Sequence, residues 1–173
     1  VSAESFFQVN TSFVETLVEL VMDRLNLRGG ETVLDAYCGV GLLTRFIAPL
    51  AGRVIGIEAG RSALADAAKN LASFGHVELR QGLVEVVLPA LEERIDAVVL
   101  DPPRAGCGPQ VMQALMDRQV GRIVYVSCDP STLARDARPL LDGGYGLCDV
   151  QPLDLFPHTY HIETVSVWVR AEG

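Results

Sequence analysis

Short apolar segments that end in polar residues alternate with amphipathic segments along the chain, and this alternation restricts the fold most strongly. The pattern predicts strands at 32–38, 53–59, 76–82, 95–103, 122–130, about 145–156 and 163–170. It predicts helices at 11–26, where Gly29 and Gly30 would end the first helix, and at 41–50, 61–74, 108–118 and 130–141. Strands that alternate with helices form a mostly parallel sheet covered on both faces. We therefore predict a doubly wound α/β fold.

The composition is that of one ordinary globular domain. The chain has 173 residues, of which 49% are hydrophobic and 21% charged. No apolar run reaches membrane-spanning length and no secretory signal opens the chain, so we expect a soluble, cytoplasmic monomer without membrane contacts. The net charge of −8 argues against a broad nucleic-acid surface, unless another domain or a small local patch contacts the phosphates.

Four polar residues stand at or just beyond the ends of predicted strands. Ligands of open α/β sheets bind at the carboxyl ends of the strands, so these four side chains should converge on one crevice. They are Asp35, Glu58, Asp101 and Cys128.

The loop after the first strand, DAYCGVG at 35–41, has the features of a cofactor loop. Gly39 and Gly41 let the backbone approach a ligand closely, and Glu58 could accept both hydroxyls of a ribose. The loop is not GxGxxG and no phosphate-binding lysine follows it, which favours S-adenosylmethionine, an adenosyl ligand without phosphate. A nucleotide dehydrogenase, or a plain turn with a solvated glutamate, remains open on this segment alone.

Two further loops carry candidate catalytic groups. DPPRAG at 101–106 is stiffened by two prolines and could present Asp101 to a planar base, although similar loops serve methyltransferases that act on amino groups. In VSCDP at 126–130, Cys128 precedes a helix whose N-terminus could lower its pKa, and Asp129 would oppose this if it lies close. The alternative for a lone cysteine is a buried structural role, and we expect Cys38, Cys107 and Cys148 to be small buried or loop residues.

The segment FPHTYHIE at 156–163 combines two histidines and a glutamate. These are too few ligands for a metal site, and no CxxC pair supports one, so we expect no bound metal. A general base is the better use of Glu163, with His161 as an orienting partner or a structural residue and His158 without an assigned role.

A thiol and a base are needed together for one particular reaction. Carbon 5 of uracil is a poor nucleophile toward a methyl sulfonium, but a thiolate that adds at carbon 6 makes carbon 5 electron-rich. After methylation a base must remove the proton from carbon 5 so that the thiolate can leave. Methylation of an amino nitrogen requires neither group.

Five motifs in order, spread over essentially the whole chain, resemble the RNA uracil-C5 methyltransferase family. They are SFFQVN (5–10), DAYCGVG (35–41), DPPRAG (101–106), YVSCDPSTLARD (125–136) and DLFPHTYHIETV (154–165). The resemblance implies a Rossmann-like class I methyltransferase fold with seven strands, the last antiparallel, and S-adenosylmethionine as cofactor. It implies that Cys128 is the nucleophile and Glu163 the general base.

The same resemblance implies further site residues. Gln8, Tyr37, Glu58 and Asp101 match cofactor-contacting positions, and Phe6 and Gln8, with Asp101, match positions around a flipped target base. FPHTYHIETV favours ribosomal over transfer RNA as the partner. Three residues depart from the family pattern: Asp129 replaces an asparagine, and Leu83 and Leu42 offer no polar group to the cofactor.

Family members also carry an N-terminal RNA-binding barrel and a central domain, and some bind an iron–sulfur cluster through N-terminal cysteines. We therefore expect residues 1–173 to be an excised C-terminal catalytic domain. Two other functions stay open. Amino-group methylation through DPPR predicts that Cys128→Ala remains active, whereas a non-catalytic cofactor-binding module predicts binding without turnover.

Overall fold

The computed structural model describes residues 11–153 and 162–171. The predicted site residues Phe6 and Gln8, and the histidines His158 and His161, lie outside the described residues. The described strands are β1 Thr32–Ala36, β2 Arg53–Glu58, β3 Val77–Gln81, β4 Ala97–Leu100, β5 Arg122–Ser127, β6 Tyr145–Leu153 and β7 Glu163–Arg170. The described helices are α1 Thr11–Leu25, α2 Leu42–Ile47, α3 Arg61–Asn70, α4 Val84–Ala90, α5 Pro109–Asp117 and α6 Pro130–Asp142.

The seven strands form one sheet in the order β3-β2-β1-β4-β5-β7-β6. Strands β1 to β5 run parallel, and β7 is antiparallel to both β5 and β6. The prediction of a seven-stranded, mostly parallel sheet with an antiparallel last strand is therefore confirmed.

Both faces of the sheet are covered, as the continuous apolar character of the strands predicts. In β1, Val33 packs into the cluster that contains α1 and α2 residues, and Leu34 packs into the opposite cluster with residues of α4, α5 and α6. Successive strand residues point to opposite faces, so each central strand supplies both halves of the core. The loops at the strand ends are thereby fixed to a rigid base.

The structure differs from the local predictions at the end of α1 and at α4. Helix α1 ends at Leu25, before the glycines at 29 and 30, because Asn26 takes a left-handed conformation with a φ of 50°. Helix α4 was not predicted, since its sequence VEVVLPA contains a proline and three β-branched valines. It forms because Val84 and Leu88, one turn apart, are buried in the core.

No helix among the described residues is long and apolar enough to span a lipid bilayer.

Truncating a side chain at the centre of the sheet should destabilise the whole fold. Leu34 is fully buried, so Leu34→Ala should lower the free energy of unfolding by about 2–5 kcal/mol. Leu50→Ala removes the same atoms from a side chain that is 48% exposed and should cost less than about 1 kcal/mol. Urea denaturation of both variants measures the difference. Equal losses would contradict this assignment of the core.

Candidate active site

The carboxyl ends of four strands and the start of β7 bring the predicted polar residues to one edge of the sheet. Going across the sheet, this edge carries Glu58 on β2, Asp35 on β1, Asp101 after β4, Cys128 after β5 and Glu163 at the start of β7. Glu163 reaches the same edge because β7 runs in the opposite direction to its neighbour β5. The sequence-predicted residues that the structure describes therefore do converge.

The loop after β1 turns sharply through residues with positive φ. Tyr37 has a φ of 72°, Gly39 of 54° and Gly41 of 83°. At Gly41 a Cβ atom would lie 2.7 Å from Leu71 Cδ1, so a side chain there would meet both backbone strain and a close neighbour. The glycine thus lets the start of α2 pack against the end of α3 and shapes the loop.

Glu58 holds this loop from the neighbouring strand. Its Oε2 accepts a hydrogen bond from the Gly39 N–H at 3.0 Å, and its Oε1 accepts one from the Gly60 N–H at 2.6 Å. Each carboxylate oxygen can accept a further hydrogen bond. Glu58 can therefore support the loop and still accept ligand hydroxyls.

Asp35 is a buried carboxyl group beneath the same loop. Its Oδ2 accepts a hydrogen bond from Thr44 Oγ1 at 2.5 Å, whereas its buried Oδ1 has no partner among the described residues. Burial raises its pKa to about 6. An unpaired buried acceptor is costly, so this oxygen would favour a ligand that brings a hydrogen-bond donor or a positive charge.

Asp101 follows β4 in the DPPRAG loop. Burial, together with the charges of Glu163 and Asp35, raises its pKa to about 7. Near neutral pH this carboxyl group can therefore either donate or accept a hydrogen bond.

Cys128 and Glu163 flank the end of the pairing between β5 and β7. The last antiparallel pair is Ser127 with Thr164, Cys128 follows Ser127, and Glu163 precedes Thr164. The two side chains are close enough for the charge of Glu163 to act on the Cys128 thiol. Cys128 is partly exposed and Glu163 is buried.

The predicted lowering of the Cys128 pKa is wrong. Burial and, next, the charge of Glu163 raise this pKa, and a backbone hydrogen bond and the charge of Arg104 compensate only in part. Asp129 caps α6, where its Oδ1 accepts hydrogen bonds from the N–H and hydroxyl of Ser131, which lower the pKa of Asp129. The Cys128 thiol is therefore a weaker acid than a free cysteine thiol.

Arg104 lies in the DPPRAG motif but was not among the site residues predicted from the sequence. Its charge lowers the pKa values of both Cys128 and Glu163, although burial raises each of them overall. The signal that could have identified it is its position three residues after Asp101 in a proline-stiffened loop.

The two leucines that depart from the family pattern lie at the starts of two helices. Leu83 is 54% exposed at the start of α4, and Leu42 is half-buried at the start of α2. Within residues 11–153 and 162–171, no group of three or more His, Cys, Asp or Glu side chains could hold a metal ion.

Comparison with protein-family models gives two matches. The model described as tRNA (Uracil-5-)-methyltransferase matches residues 81–171, a segment that contains DPPRAG, Cys128 and Glu163. A general methyltransferase-domain model matches residues 33–102, which include the loop after β1 and Glu58.

Curated relatives are similar over nearly the whole chain. The chain is 45% identical over 172 residues to an uncharacterised RNA methyltransferase of Halalkalibacterium halodurans, covering 96% of this chain and 38% of that protein. It is 44% identical over 171 residues to one of Streptomyces avermitilis, covering 96% of this chain and 40% of the relative. The chain thus spans about two fifths of the length of these relatives.

Solved structures share the fold. The Pyrococcus abyssi tRNA (uracil-54, C5)-methyltransferase, crystallised with S-adenosyl-L-homocysteine, superposes with a TM-score of 0.83 and 34% identity, covering 96% of this chain and 40% of that one. The N-methyltransferase NodS of Bradyrhizobium japonicum has a TM-score of 0.80 at 12% identity, covering 95% of this chain and all of that one. The second likeness concerns the fold alone.

The raised pKa of Asp101 should make the stability of the protein depend on pH. The folded state binds this proton more tightly than the unfolded state, so the free energy of unfolding should fall as the pH rises from about 4 to about 7. Asp101→Asn removes this contribution. The free energy of unfolding of Asp101→Asn minus that of wild type should therefore increase by about 1–3 kcal/mol from pH 5 to pH 8. Urea denaturation of both proteins at these two pH values measures the change, and the same difference at both would contradict the assignment.

Proposed function

Because the chain belongs to the tRNA (uracil-5-)-methyltransferase family, we propose that it is a catalytic domain that transfers a methyl group from S-adenosylmethionine to carbon 5 of a uridine in RNA. The observation that carries this proposal is the proximity of Cys128 and Glu163 at the end of the β5–β7 pairing, on the edge that also holds the loop after β1. A nucleophile beside a base is what addition at carbon 6 and proton removal from carbon 5 require.

The residues around the loop after β1 fit an adenosyl amino-acid ligand. Glu58 can accept ribose hydroxyls, the unpaired Oδ1 of Asp35 suits a donor-rich or cationic group, and Tyr37 lies in the same turn. The Pyrococcus abyssi structure, which is 34% identical, contains S-adenosyl-L-homocysteine, the demethylated form of this cofactor. When bound, S-adenosylmethionine supplies an electrophilic methyl group.

Cys128 would begin the reaction by adding to the pyrimidine. Its thiol is partly exposed, so its proton can pass to solvent before the sulfur bonds to carbon 6. The electrons of the carbon 5–carbon 6 double bond then move toward carbon 5 and the neighbouring carbonyl oxygen, which makes carbon 5 nucleophilic. Arg104 offsets part of the cost of the thiolate beside Glu163.

Glu163 would complete the reaction as a general base. After carbon 5 has gained the methyl group, Glu163 takes the carbon 5 proton, the double bond reforms and the bond between sulfur and carbon 6 breaks. Burial raises the pKa of Glu163, which makes its carboxylate a stronger base than an exposed one. Its position near Cys128, at the end of the β5–β7 pairing, suits two groups that must act on neighbouring carbons of one ring.

Asp101 is suited to bind the edge of the base. Uracil presents both a donor and acceptors on that edge, and a carboxyl group with a pKa of about 7 can match either. The contacts assigned to Phe6 and Gln8 stay predictions.

The RNA partner is proposed at the level of its chemistry. The sequence favours ribosomal RNA, whereas the similar Pyrococcus abyssi enzyme is named for uridine 54 of transfer RNA, so both belong in the assay. The monomeric state, the cytoplasmic location and the domain assignment of residues 1–173 also stay predictions.

A covalent adduct tests the role of Cys128. With S-adenosylmethionine and RNA that contains 5-fluorouridine, the protein should form a stable protein–RNA complex, because fluorine cannot leave carbon 5 as a proton does. Intact-mass spectrometry should find it on Cys128, with complete loss in Cys128→Ala and retention in Cys148→Ala, which removes an exposed cysteine. Transfer and ribosomal RNA are tested in parallel. Covalent catalysis would be refuted if no adduct forms with transfer RNA or with ribosomal RNA, or if Cys128→Ala forms as much adduct as wild type. Methylation by Cys128→Ala would favour amino-group transfer instead.

Substituting Glu163 should separate methyl transfer from release. Glu163→Gln retains the shape of the side chain but not the base, so with natural RNA a methylated covalent intermediate should accumulate and turnover should fall by about 10²-fold or more. Denaturing gels with methyl-labelled cofactor measure this. Glu19→Gln, on the exposed face of α1, is the control and should turn over normally. Normal release by Glu163→Gln would remove Glu163 from this role.

A further inference from the structure

A polar cluster built around a buried carboxylate lies next to the proposed active site and has no part in the chemistry described above. It consists of Asp136 and Arg135 on α6, Tyr125 on β5 and Cys107 in the segment after β4, and is called the Asp136 cluster below. Asp136 is 3% exposed and Tyr125 is fully buried. Burying a carboxylate costs free energy unless it is paired and hydrogen-bonded, so this placement requires partners.

The Asp136 carboxylate joins three separate segments. Its Oδ2 accepts hydrogen bonds from the Cys107 N–H at 2.7 Å and the Tyr125 hydroxyl at 2.9 Å. Its Oδ1 accepts two from the Arg135 guanidinium, at 2.9 and 2.8 Å. The same guanidinium donates to the Ala105 carbonyl at 2.7 Å. The segment 101–107 is thereby bonded to α6 at two points.

The segment is packed so closely on this cluster that one position has no room for a side chain. At Gly106 a Cβ atom would lie 2.5 Å from both Asp136 Oδ2 and Arg135 Nη2, and the φ of +76° also disfavours other residues. A turn closed by the Gly106 N–H and the Pro103 carbonyl at 2.8 Å connects this contact to Arg104.

Arg104 therefore lies on a short turn whose end is anchored by Asp136. Its charge acts on Cys128 and Glu163, and α6 itself begins two residues after Cys128. The cluster also extends toward the loop after β1, because the Tyr37 side chain lies near enough to the Cys107 thiol to affect its pKa. The segment 101–107 and α6, which begins just after Cys128, are joined by one set of hydrogen bonds.

We propose that Asp136 is a positioning residue, which anchors the segment 101–107 through Cys107, Tyr125 and Arg135 and so holds Arg104 beside Cys128 and Glu163. The effect of this positioning of Arg104 on catalysis rests on the function proposed above. The anchoring itself can be measured without RNA.

Loosening the segment should change the charge environment of Cys128. Glu163 on β7 and Asp101 in the segment 101–107 oppose the thiolate, and Arg104 favours it. Asp129, at the start of the helix that follows, carries a further carboxylate. If Arg104 moves away, the carboxylates act on the thiol without its compensation, so the thiolate should form only at higher pH.

The test follows iodoacetamide alkylation of Cys128 against pH, resolved from the other cysteines by peptide mass spectrometry. In Asp136→Asn the profile should move up by about 0.5 pH unit, which at pH 8 means alkylation about threefold slower than in wild type. Arg104→Gln should give a similar shift. The double variant should show little more than either single one, because both remove the same interaction.

Two pairs of matched variants separate anchoring from general destabilisation. Gly106→Ala and Gly108→Ala introduce the same methyl group at a φ of +76° and +79°, but only the first meets the cluster. Tyr125→Phe and Tyr145→Phe each remove one buried hydroxyl, but the Tyr145 hydroxyl bonds to the Val120 carbonyl instead. The alkylation profile should shift to higher pH in Gly106→Ala and Tyr125→Phe. It should stay at its wild-type position in Gly108→Ala and Tyr145→Phe.

A folded Asp136→Asn variant with the wild-type profile would overturn the proposal, as would equal shifts within each matched pair. If Asp136→Asn does not fold, Tyr125→Phe decides, since it removes one hydrogen bond and no charge. Failure of the 5-fluorouridine adduct in wild type would refute the proposed reaction and leave this result intact. A shifted alkylation profile alongside a normal adduct would support both.

Discussion

The antiparallel pairing of β5 with β7 is the interaction on which the site depends. In a purely parallel sheet, residues before the start of a strand lie at the edge opposite to residues after the end of its neighbour. Because β7 runs against β5, its first residue, Glu163, lies at the same edge of the sheet as Cys128, which follows the last residue of β5. One change of strand direction thus brings together two side chains that are 35 positions apart in the sequence. The ends of β1, β2 and β4 supply the surrounding groups.

This convergence places several acidic groups close together at low exposure. Asp35, Asp101 and Glu163 all have raised pKa values, and burial is the largest cause in each case. Such an arrangement reduces the stability of the folded state at neutral pH, since ionised carboxylates without ligands are poorly solvated there. Sites of this kind are common where proton transfer is required, because the same burial that costs stability brings pKa values toward the working pH.

Much of the fold and of the site could be predicted from the sequence because both follow from local patterns. Apolar strands that end in polar residues predicted the parallel sheet and the convergence of Asp35, Glu58, Asp101 and Cys128. Helix α4 was missed because its stability comes from tertiary burial of Val84 and Leu88 and not from its own residue preferences. The Asp136 cluster could not be predicted, because its hydrogen bonds join residues about 10 to 30 positions apart whose proximity only the packed structure determines.

The Cys128 pKa depends on groups that are distant from Cys128 in the sequence. A helix N-terminus stabilises a nearby thiolate by at most about 2 kcal/mol, and here Asp129 already caps that terminus with its carboxylate. Burial and the charge of Glu163 act in the opposite direction, and neither is visible in the segment VSCDP. The replacement of the family's asparagine by Asp129 therefore affects the helix terminus first, since both side chains can accept the Ser131 N–H. The balance at the thiol is determined instead by groups from β7 and the segment after β4, so its reactivity is a property of the tertiary structure.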